Sequence, residues 1–483
     1  MPPSNRAARW TALLAVVALG GCATAGPDFK PPSAPEAGGF LPTGAGAPAG
    51  VDFGVAPAKV TAWWITLGSP ILDKIIRDAL LESPTIAEVD AALQRAQAEA
   101  DAAAGARAPQ VDGEAGLQRK RTNTRSLGVS GFPNRNLNLY TVGAVVTYDL
   151  DLFGGRRRAT EAAQADVSAE AQRAQAARLA LSGNIALQAA EIAAINDELA
   201  SLAAVGEDNL RLMEMAKTAE RAGGATASEI AAAGEQLAQD MAEMAPLMGD
   251  LEAARRRLAL LAGKFPGQRH FPDFRLADLS TATSIPVAMP SVVLRNRPDI
   301  LAAEAELHAA TARIGVADAA RYPNLSLAAG LTQIGLHPDD LFGYDASGWN
   351  LGAGMTAPLF DGGTLRARRR AAEAEARGAM SRYQSTVLRA FYQVSDALGA
   401  LARDDEEIAA LVQTKTAADR RLGYARRAYE LGGDTLRMVV EAQRRANNAQ
   451  REVVQAQGRR LRDYIQLLAA TAGSWTPPSQ PGP

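Results

Sequence analysis

The sequence predicts a mixed helix-and-strand membrane protein in which one unit, a pair of strands followed by a pair of long helices, occurs twice. Three observations predict this fold class. The second half of the chain repeats motifs of the first half, each copy holds two segments that alternate apolar and polar residues, and stretches rich in Ala, Glu, Gln, Arg and Leu have a helical period. At 483 residues the chain exceeds the needs of one ordinary core, which favours an elongated body.

Residues 1–21 have the composition of an export signal. Two arginines precede the apolar run Thr11–Leu19, which is too short to span a bilayer. The run ends in Leu-Gly-Gly-Cys22, which resembles a bacterial lipobox and predicts that Cys22 carries a diacylglycerol and an N-acyl chain such as palmitate. The alternative is an ordinary signal peptide beside a chance cysteine.

Two neighbouring features extend this prediction. Cys22 is the only cysteine, so the chain has neither a disulfide nor a CxxC metal motif. Ala23 implies sorting to the outer membrane, because lipoproteins retained in the inner membrane typically have Asp at that position. The Pro-, Gly- and Ala-rich stretch from Gly26 to Ala58 predicts an extended tether that lets the body sit away from its lipid.

An internal repeat organises the remainder. Pro298 of the second copy matches Pro84 of the first, and Phe360 matches Phe153. Each repeat also has a turn with two consecutive glycines, Gly223-Gly224 in the first and Gly432-Gly433 in the second. The alignment places Gly432 on Gly224. The predicted organisation is a signal peptide (1–21), a lipidated extended tether (22–62), a first repeat (63–280), a second repeat (281–473) and a tail (474–483).

Each repeat contains two long helices, predicted at about 155–220, 226–263, 363–430 and 434–472. At about 1.5 Å per residue, a helix of about 65 residues spans roughly 100 Å. In the first of them, apolar residues alternate spacings of four and three between Leu181 and Leu202, as in a coiled coil. Helical periodicity alone leaves open a structural coiled coil without a pore.

The strands are predicted at about 111–121, 138–151, 325–335 and 349–360. Successive side chains of a strand point to opposite faces, and here one face is apolar and the other polar or small. Tyr140, Tyr148 and Trp349 lie on the apolar face and are predicted to form an aromatic membrane girdle. A transmembrane β-barrel requires this pattern, although a half-buried soluble sheet would share it.

Four strands cannot close a barrel, and open strand edges are not tolerated in lipid. More than one copy must therefore share the barrel, and three copies would supply twelve strands. The loops 122–136 and 336–348 would cap the outer end. Arginine clusters at 156–158 and 366–370 follow the strands; they fit a solvated helix face or an interfacial role at the periplasmic rim.

Several motifs together resemble the TolC-type outer-membrane factors, in their NodT-like and OprM-like efflux lipoprotein branch. They include Gly26-Pro-Asp-Phe29, Tyr148-Asp-Leu-Asp-Leu-Phe-Gly154, Arg297-Pro-Asp-Ile300, Tyr322-Pro323, Pro358-Leu-Phe-Asp-Gly-Gly363 and Tyr429-Glu-Leu-Gly432. The resemblance implies a homotrimer with a twelve-stranded outer-membrane barrel continuous with a long periplasmic α-helical barrel. It also implies a passive exit duct for drugs or other small molecules, which works with a periplasmic membrane-fusion adaptor and an inner-membrane efflux pump.

The same resemblance assigns candidate site residues. In the family, helix pairs after the second turn close a periplasmic aperture with acidic residues. Those positions correspond to Met438 and Glu441, with Asp434 as a further candidate, and only Glu441 keeps the acid. The turns at Gly223-Gly224 and Gly432-Gly433 are the expected adaptor contacts. Asp434 and Glu441 also fit solvated helix-end residues.

Other functions lack support in the sequence. The three histidines have no metal-ligand spacing, and no nucleophile-elbow, Walker or dinucleotide motif stands in a strand-to-helix context. An enzyme, a metal site and a cofactor other than the lipid on Cys22 are therefore not expected. A formal net charge of -2 argues against nucleic acid as a partner. The sequence does not identify the cargo.

Overall fold

The computed structural model describes residues 24–33, 39–40, 51–53, 62–121, 136–221, 223, 226–265, 271–279, 285–287 and 296–471. Helices α1 to α7 span Pro70–Glu82, Pro84–Gly105, Gly155–Arg221, Ala227–Leu261, Pro298–Ala319, Thr364–Glu430 and Leu436–Thr471. Strands β1 to β6 span Val51–Phe53, Gln110–Arg121, Asn136–Asp149, Ile285–Val287, Asn324–Gly335 and Ser347–Thr356. The chain divides into two compact units.

The first unit comprises residues 1–32, 92–170 and 303–383 and contains a four-stranded antiparallel sheet. The strand order is β2-β3-β5-β6, so the two strand pairs of the repeat lie side by side and join through β3 and β5. In the described part of the unit, β2 and β6 are the edges of this sheet, each paired on one side.

Strand β6 ends at Thr356, before the predicted end at 360. Pro358 has no amide hydrogen to donate to a strand ladder, and Asp361 already belongs to the following turn. The connection between β6 and α6 is therefore longer than the alternating pattern predicts.

The second unit comprises residues 33–91, 171–302 and 384–483 and holds the larger apolar core. Trp63 and Trp64 lie at its start: the indole of Trp63 donates to the Ser182 hydroxyl at 3.1 Å and that of Trp64 to Asp73 at 2.9 Å. Ser69 precedes helix α1, and its hydroxyl accepts from the Leu72 amide and caps the helix. Residues of α3, α6 and α7 complete the core, including Ile185, Ile192, Leu398, Leu461 and Tyr464.

The long helices α3 and α6 and the turns that follow them have one constant offset between the two repeats. Helices α3 and α6 both contain 67 residues and begin at Gly155 and Thr364. The same offset separates Gly223 from Gly432, the left-handed glycines of the two turns. The alignments of Phe153 with Phe360 and of Gly224 with Gly432 were therefore wrong by one or two positions, because they matched residue types rather than backbone conformations.

Described residues of the predicted extended tether, 22–62, make contacts with other parts of the chain. The amide of Ala25 donates to the Phe153 carbonyl at 2.9 Å, Phe40 packs against Phe391, and β1 pairs in parallel with β4. Composition does not indicate these contacts, because the residues that make them follow no period.

Candidate functional site

One face of the four-stranded sheet is apolar and exposed. The register pairs Leu117 with Tyr140, Tyr148 with Leu327 and Leu331 with Trp349, and directly paired residues share a face. The exposed apolar side chains on this face are Val111, Leu117, Val142, Leu327, Leu331, Trp349, Leu351 and Met355. The opposite face carries mainly polar or small residues, among them Asp112, Glu114, Thr141, Thr147, Ser326, Thr332 and Asn350. A continuous exposed apolar face of this kind marks a membrane or protein contact.

The three predicted girdle residues all lie on the apolar face. Tyr140 and Tyr148 lie on β3 with about 26 Å of strand between them, close to the roughly 25 Å height of the apolar band on outer-membrane barrels. Both tyrosines are half-buried against neighbouring strands, whereas Trp349 is 81% exposed on the edge strand β6. Their depth in a bilayer stays a prediction.

In both repeats, an aspartate lies between the last strand and the long helix that follows, and we call this connection the strand exit. The Asp151 carboxylate accepts from the amides of Arg156 and Arg157 at 2.9 Å each, which satisfies amides at the start of α3. Asp361 accepts from the amides of Gly363 at 2.8 Å and Leu365 at 2.7 Å at the start of α6. These backbone hydrogen bonds hold the pKa of Asp361 below its ordinary value.

At the first of these exits, the segment that follows Cys22 is clasped to the body. We call this contact the clasp: Thr24–Phe29 packed on Gly154, Arg158, Glu161, His308 and Gly315. The guanidinium of Arg158 donates to Asp28 at 2.6 Å, to Glu161 at 2.8 Å and to the Ala25 carbonyl at 3.2 Å. The side chain of Arg158 is only 5% exposed.

An aromatic contact also holds the clasp together. The Phe29 ring stacks on the His308 ring with centroids 4.4 Å apart, and His308 Nε2 lies 2.9 Å from Glu161. Gly26 and Gly315 cross so closely that a Cβ on Gly26 would lie 2.4 Å from the Gly315 Cα. Only glycine fits at this crossing, since Gly26 also has a φ of +83°.

Charges within the clasp stabilise one another. Burial alone would raise the pKa of Glu161, but hydrogen bonds with Arg158 and His308 outweigh burial and lower it. Burial alone would lower the pKa of Arg158, and its hydrogen bonds to Asp28 and Glu161 outweigh that effect and raise it. Both groups are therefore held ionised.

Sequence reasoning missed the clasp. Asp28 and Phe29 stand in one of the motifs that resemble the family, and His308 is one of three histidines without metal-ligand spacing. The signal that could have found it was the pair Gly26 and Gly315, two glycines without a turn pattern, which indicate a close backbone approach.

The two predicted adaptor turns lie in the second unit. Gly223 and Gly432 adopt left-handed conformations at φ of +77° and +71°, as helix-ending glycines do, and Gly433 has no positive φ. After the first turn, Thr226 and Glu229 form a capping box at the start of α4. Gly224 and the predicted lipidation residue Cys22 lie outside the described residues.

Of the three predicted aperture residues, Met438 and Glu441 lie three residues apart on one face of the first turns of α7, and Asp434 lies two residues before that helix begins. The structure brings Glu441 onto Arg437 of the same helix, with the guanidinium 3.3 Å from the carboxylate. Asp434 accepts from the Thr435 amide at 2.8 Å, and Met438 is half-buried.

A few residues further along α7, a polar network around Gln443 joins α7 to α3 and α6. Gln443 donates to Asp208 at 3.2 Å and to Asn447 at 2.8 Å, and it accepts from Arg426. Because Gln443 is buried, the loss of these partners would leave its amide unsatisfied.

Two further findings concern the described residues. None of their helices is long and apolar enough to cross a bilayer. They also contain no group of three or more His, Cys, Asp or Glu side chains placed to hold a metal ion.

Solved structures share the fold. The outer-membrane channel OprN superposes with a TM-score of 0.85 at 24% sequence identity, over 94% of this chain and 99% of that chain. The outer membrane protein VceC of Vibrio cholerae superposes with a TM-score of 0.80 at 25% identity, over 87% of this chain and 100% of that chain. The chain therefore has the fold of outer-membrane channel proteins.

Relatives of known name extend over nearly the same length. The pyoverdine export outer membrane protein OpmQ of Pseudomonas aeruginosa is 29% identical over 86% of this chain and 88% of its own length. The outer membrane protein OprJ of the same organism is 30% identical over 96% of this chain and 95% of its own length. Nodulation protein T of Rhizobium leguminosarum bv. trifolii is 26% identical over 99% of this chain and 100% of its own length.

The sequence profile of the outer membrane efflux protein family matches residues 75–264 and 289–473. The chain belongs to this family. The predictions of an efflux function, of an outer-membrane location and of a protein that is not an enzyme are confirmed, as is the family resemblance.

Proposed function

We propose that this chain is one third of a homotrimeric exit duct in a tripartite efflux system. Twelve strands from three copies close an outer-membrane barrel, and the long helices continue it as an α-helical barrel into the periplasm. A periplasmic membrane-fusion adaptor and an inner-membrane pump complete the system, and the pump supplies the energy. The observation that carries this proposal is the four-stranded sheet, which has an exposed apolar face and two edges.

The edges require a partner strand. Backbone amides and carbonyls on the outer sides of β2 and β6 face no described strand, and in hydrocarbon each unsatisfied group costs several kcal/mol. Pairing β6 with β2 of a neighbouring copy satisfies both edges and closes a ring. A soluble coiled-coil lipoprotein, the main alternative, gives no reason for an apolar sheet face.

The internal repeat supplies a register for this seam between copies. Strand β2 maps onto β5 with Gln110 on Asn324, and β3 maps onto β6 with Thr147 on Thr356, so that the β2–β3 register becomes the β5–β6 register. In the chain, β3 pairs with β5, and Val145 lies opposite Gly330. Because β6 is the repeat equivalent of β3 and β2 that of β5, the same register can be applied to the pairing of β6 with β2 of a neighbouring copy. The corresponding seam pair is Gly354 with Gly116 of the neighbouring copy. Met355 then lies opposite Ala115 of the neighbour, both on the apolar face.

Cargo is proposed by chemical class. Relatives are named for export of pyoverdine and for efflux of solvents and toluene. We infer that this chain passes small organic molecules, and that the pump rather than the duct selects among them.

At the periplasmic end, the proposed aperture lies at Asp434, Met438 and Glu441, and the adaptor contacts lie at Gly223-Gly224 and Gly432-Gly433. The Arg437–Glu441 pair supports a weakly charged aperture, because each copy brings a cation beside its carboxylate. Exposed pairs of this kind stabilise by less than about 1 kcal/mol, so the aperture can rearrange at low cost.

Cys22 is proposed as a lipid-anchored residue in the outer membrane, beside the barrel. Thr24 packs on Gly154 at the exit of β3, so the acyl chains would enter the bilayer near the strand ends. The lipid is then supplementary to the barrel. A Cys22→Ser variant that is exported should still fractionate with the outer membrane, and its complete loss from that fraction would contradict the barrel.

Conductance in a planar bilayer tests the duct. The purified trimer is expected to form channels, with larger or more frequent openings in Glu441→Gln. Glu452→Gln, an exposed carboxylate further along the same helix, is the matched control and should behave as the unmodified protein. A folded trimer that conducts in none of these forms would contradict the proposal.

A further inference from the structure

Two carboxyl side chains meet where helices α6 and α7 pack together in the second unit. The ion pairs Arg459–Glu407 and Arg460–Asp405 join α7 to α6 at this level. There, Asp404 of α6 and Asp463 of α7 are neighbouring carboxyl groups. Asp404 is only 8% exposed, and its Oδ2 is buried without a hydrogen-bond partner. The contact lies beside the apolar core residues Leu401 and Leu461.

The arginines near Asp404 and Asp463 form ion pairs with other carboxylates. Arg459 pairs with Glu407 at 2.7 Å and Arg460 with Asp405 at 2.6 Å, both between α7 and α6. Arg462 pairs with Glu191 of α3. The charged groups that act on Asp404 are therefore Asp463 and Glu407, which disfavour its ionised form, and Arg459, which favours that form.

A hydrogen bond between two carboxyl groups requires a proton. With one proton, an O–H of one group donates to an oxygen of the other; without it, two carboxylates repel in a poorly solvated site. Burial, followed by repulsion from Asp463, raises the pKa of Asp404 to about 6. The shared proton is therefore released within the pH range that a periplasm open to its surroundings can experience.

We propose that Asp404 and Asp463 form a proton-controlled contact between α6 and α7, closed while the two carboxyl groups share one proton and loosened when that proton passes to solvent. The two helices are joined by the turn 431–435, and the proposed aperture residues lie in that turn and in the first turns of α7. Its consequence for opening rests on the proposed function, whereas the proton-controlled contact itself does not.

The sign of the pH dependence follows from proton binding. The folded protein holds this proton more tightly than the unfolded chain, so stability falls as pH rises from the ordinary aspartate range through about 6 and is then constant. The equilibrium can change by up to about a hundredfold, the ratio between a pKa of 3.8 and one of about 6. This direction is opposite to that of a carboxylate in an ion pair.

Infrared difference spectroscopy and hydrogen exchange of the full-length protein test the contact. Between about pH 5 and about pH 7.5, a protonated-carboxyl band should disappear, and amides of α6 and α7 near Asp404 and Asp463 should exchange faster after correction for intrinsic rates. Asp404→Asn has no carboxyl group to titrate and should remove both changes. Asp463→Asn removes the repulsion and offers an amide donor to the Asp404 carboxylate, so both changes should move to lower pH. Asp405→Asn breaks only the pair with Arg460 and should keep them.

The outcomes separate the two proposals. An unmodified protein without the band and the exchange change, or an Asp404→Asn protein that keeps both, would overturn the proton-controlled contact. If Asp404→Asn does not fold, Asp463→Asn tests the contact from the other helix, and a titration at unchanged pH in that variant would overturn it. A normal titration with equal conductance at both pH values would keep the contact and overturn its link to the aperture.

Discussion

The two strand exits of this protein use the same turn chemistry but differ in what covers them. At the first exit, Phe153 stacks on Tyr322 with ring centroids 4.6 Å apart, and Arg158 is buried in the clasp. At the second, Leu359 and Phe360 are 97% and 93% exposed. Both exits have an aspartate that caps the following helix, so the difference does not arise in the local turn.

The first exit is covered by residues from elsewhere in the chain, namely the second repeat and the segment after Cys22. Among the described residues, none covers Leu359 and Phe360 at the second exit in this way. A neighbouring copy would supply that cover, in the same way that it would supply the strand beside β6. The proposed trimer would therefore account for the difference between the two exits.

The largest expected effect is on the clasp. Arg158→Met removes the partner of two carboxylates and should lower the free energy of unfolding by about 2–3 kcal/mol, below the range for fully buried pairs because Asp28 is exposed. Arg157→Met, the neighbour in the same turn, should change it by less than about 0.5 kcal/mol. Thermal unfolding followed by circular dichroism compares them, and equal losses would contradict the clasp.

A smaller effect should separate the two phenylalanines. Phe153→Ala removes a stacked, half-buried ring and should destabilise the folded chain by about 1–3 kcal/mol, whether or not the trimer is assembled. Phe360→Ala should leave the folded chain unchanged and lower the temperature at which the trimer dissociates in detergent gels. A Phe360→Ala trimer as heat-resistant as the unmodified one would show that the second exit is not covered by a neighbour.

The smallest expected effect is the acid response of the clasp. The pKa of Glu161 is lowered in the folded protein, so its contribution to stability is present above the ordinary glutamate pKa and is lost as pH falls through the lowered value. Glu161→Gln should be less stable near neutral pH and should lack this acid step. Stability curves from about pH 3 to about pH 7 measure it, and an unchanged step would assign the acid response to other groups.

The sequence predicts those parts of the structure in which apolar residues recur with a regular period. The alternation from Tyr140 to Tyr148 predicts one apolar face, and the register across all four strands agrees with it. A helical period and the repeat predict the long helices, and the left-handed glycines Gly223 and Gly432 end two of them as turn-forming glycines do.

Contacts between distant single residues were beyond this reasoning. Phe29 and His308 stack although they stand near the beginning of the chain and in its second repeat, and neither belongs to a periodic pattern. Asp404 stands in an acidic run that has the composition of a solvated helix face, and only the packing of α6 on α7 buries it. Such contacts depend on tertiary packing, which a one-dimensional pattern does not contain.

Disulfide trapping tests the shared barrel most directly. Gly116→Cys and Gly354→Cys lie opposite each other at the proposed seam, and a Cβ has room at both positions. Oxidation of the double variant in outer membranes should give covalent dimers and closed trimers, while neither single variant nor the distant pair Gly116→Cys with Gly348→Cys should do so. Cross-linking of Gly116→Cys with Gly352→Cys instead would shift the register of the seam, and a folded protein that forms none of these links would contradict the barrel.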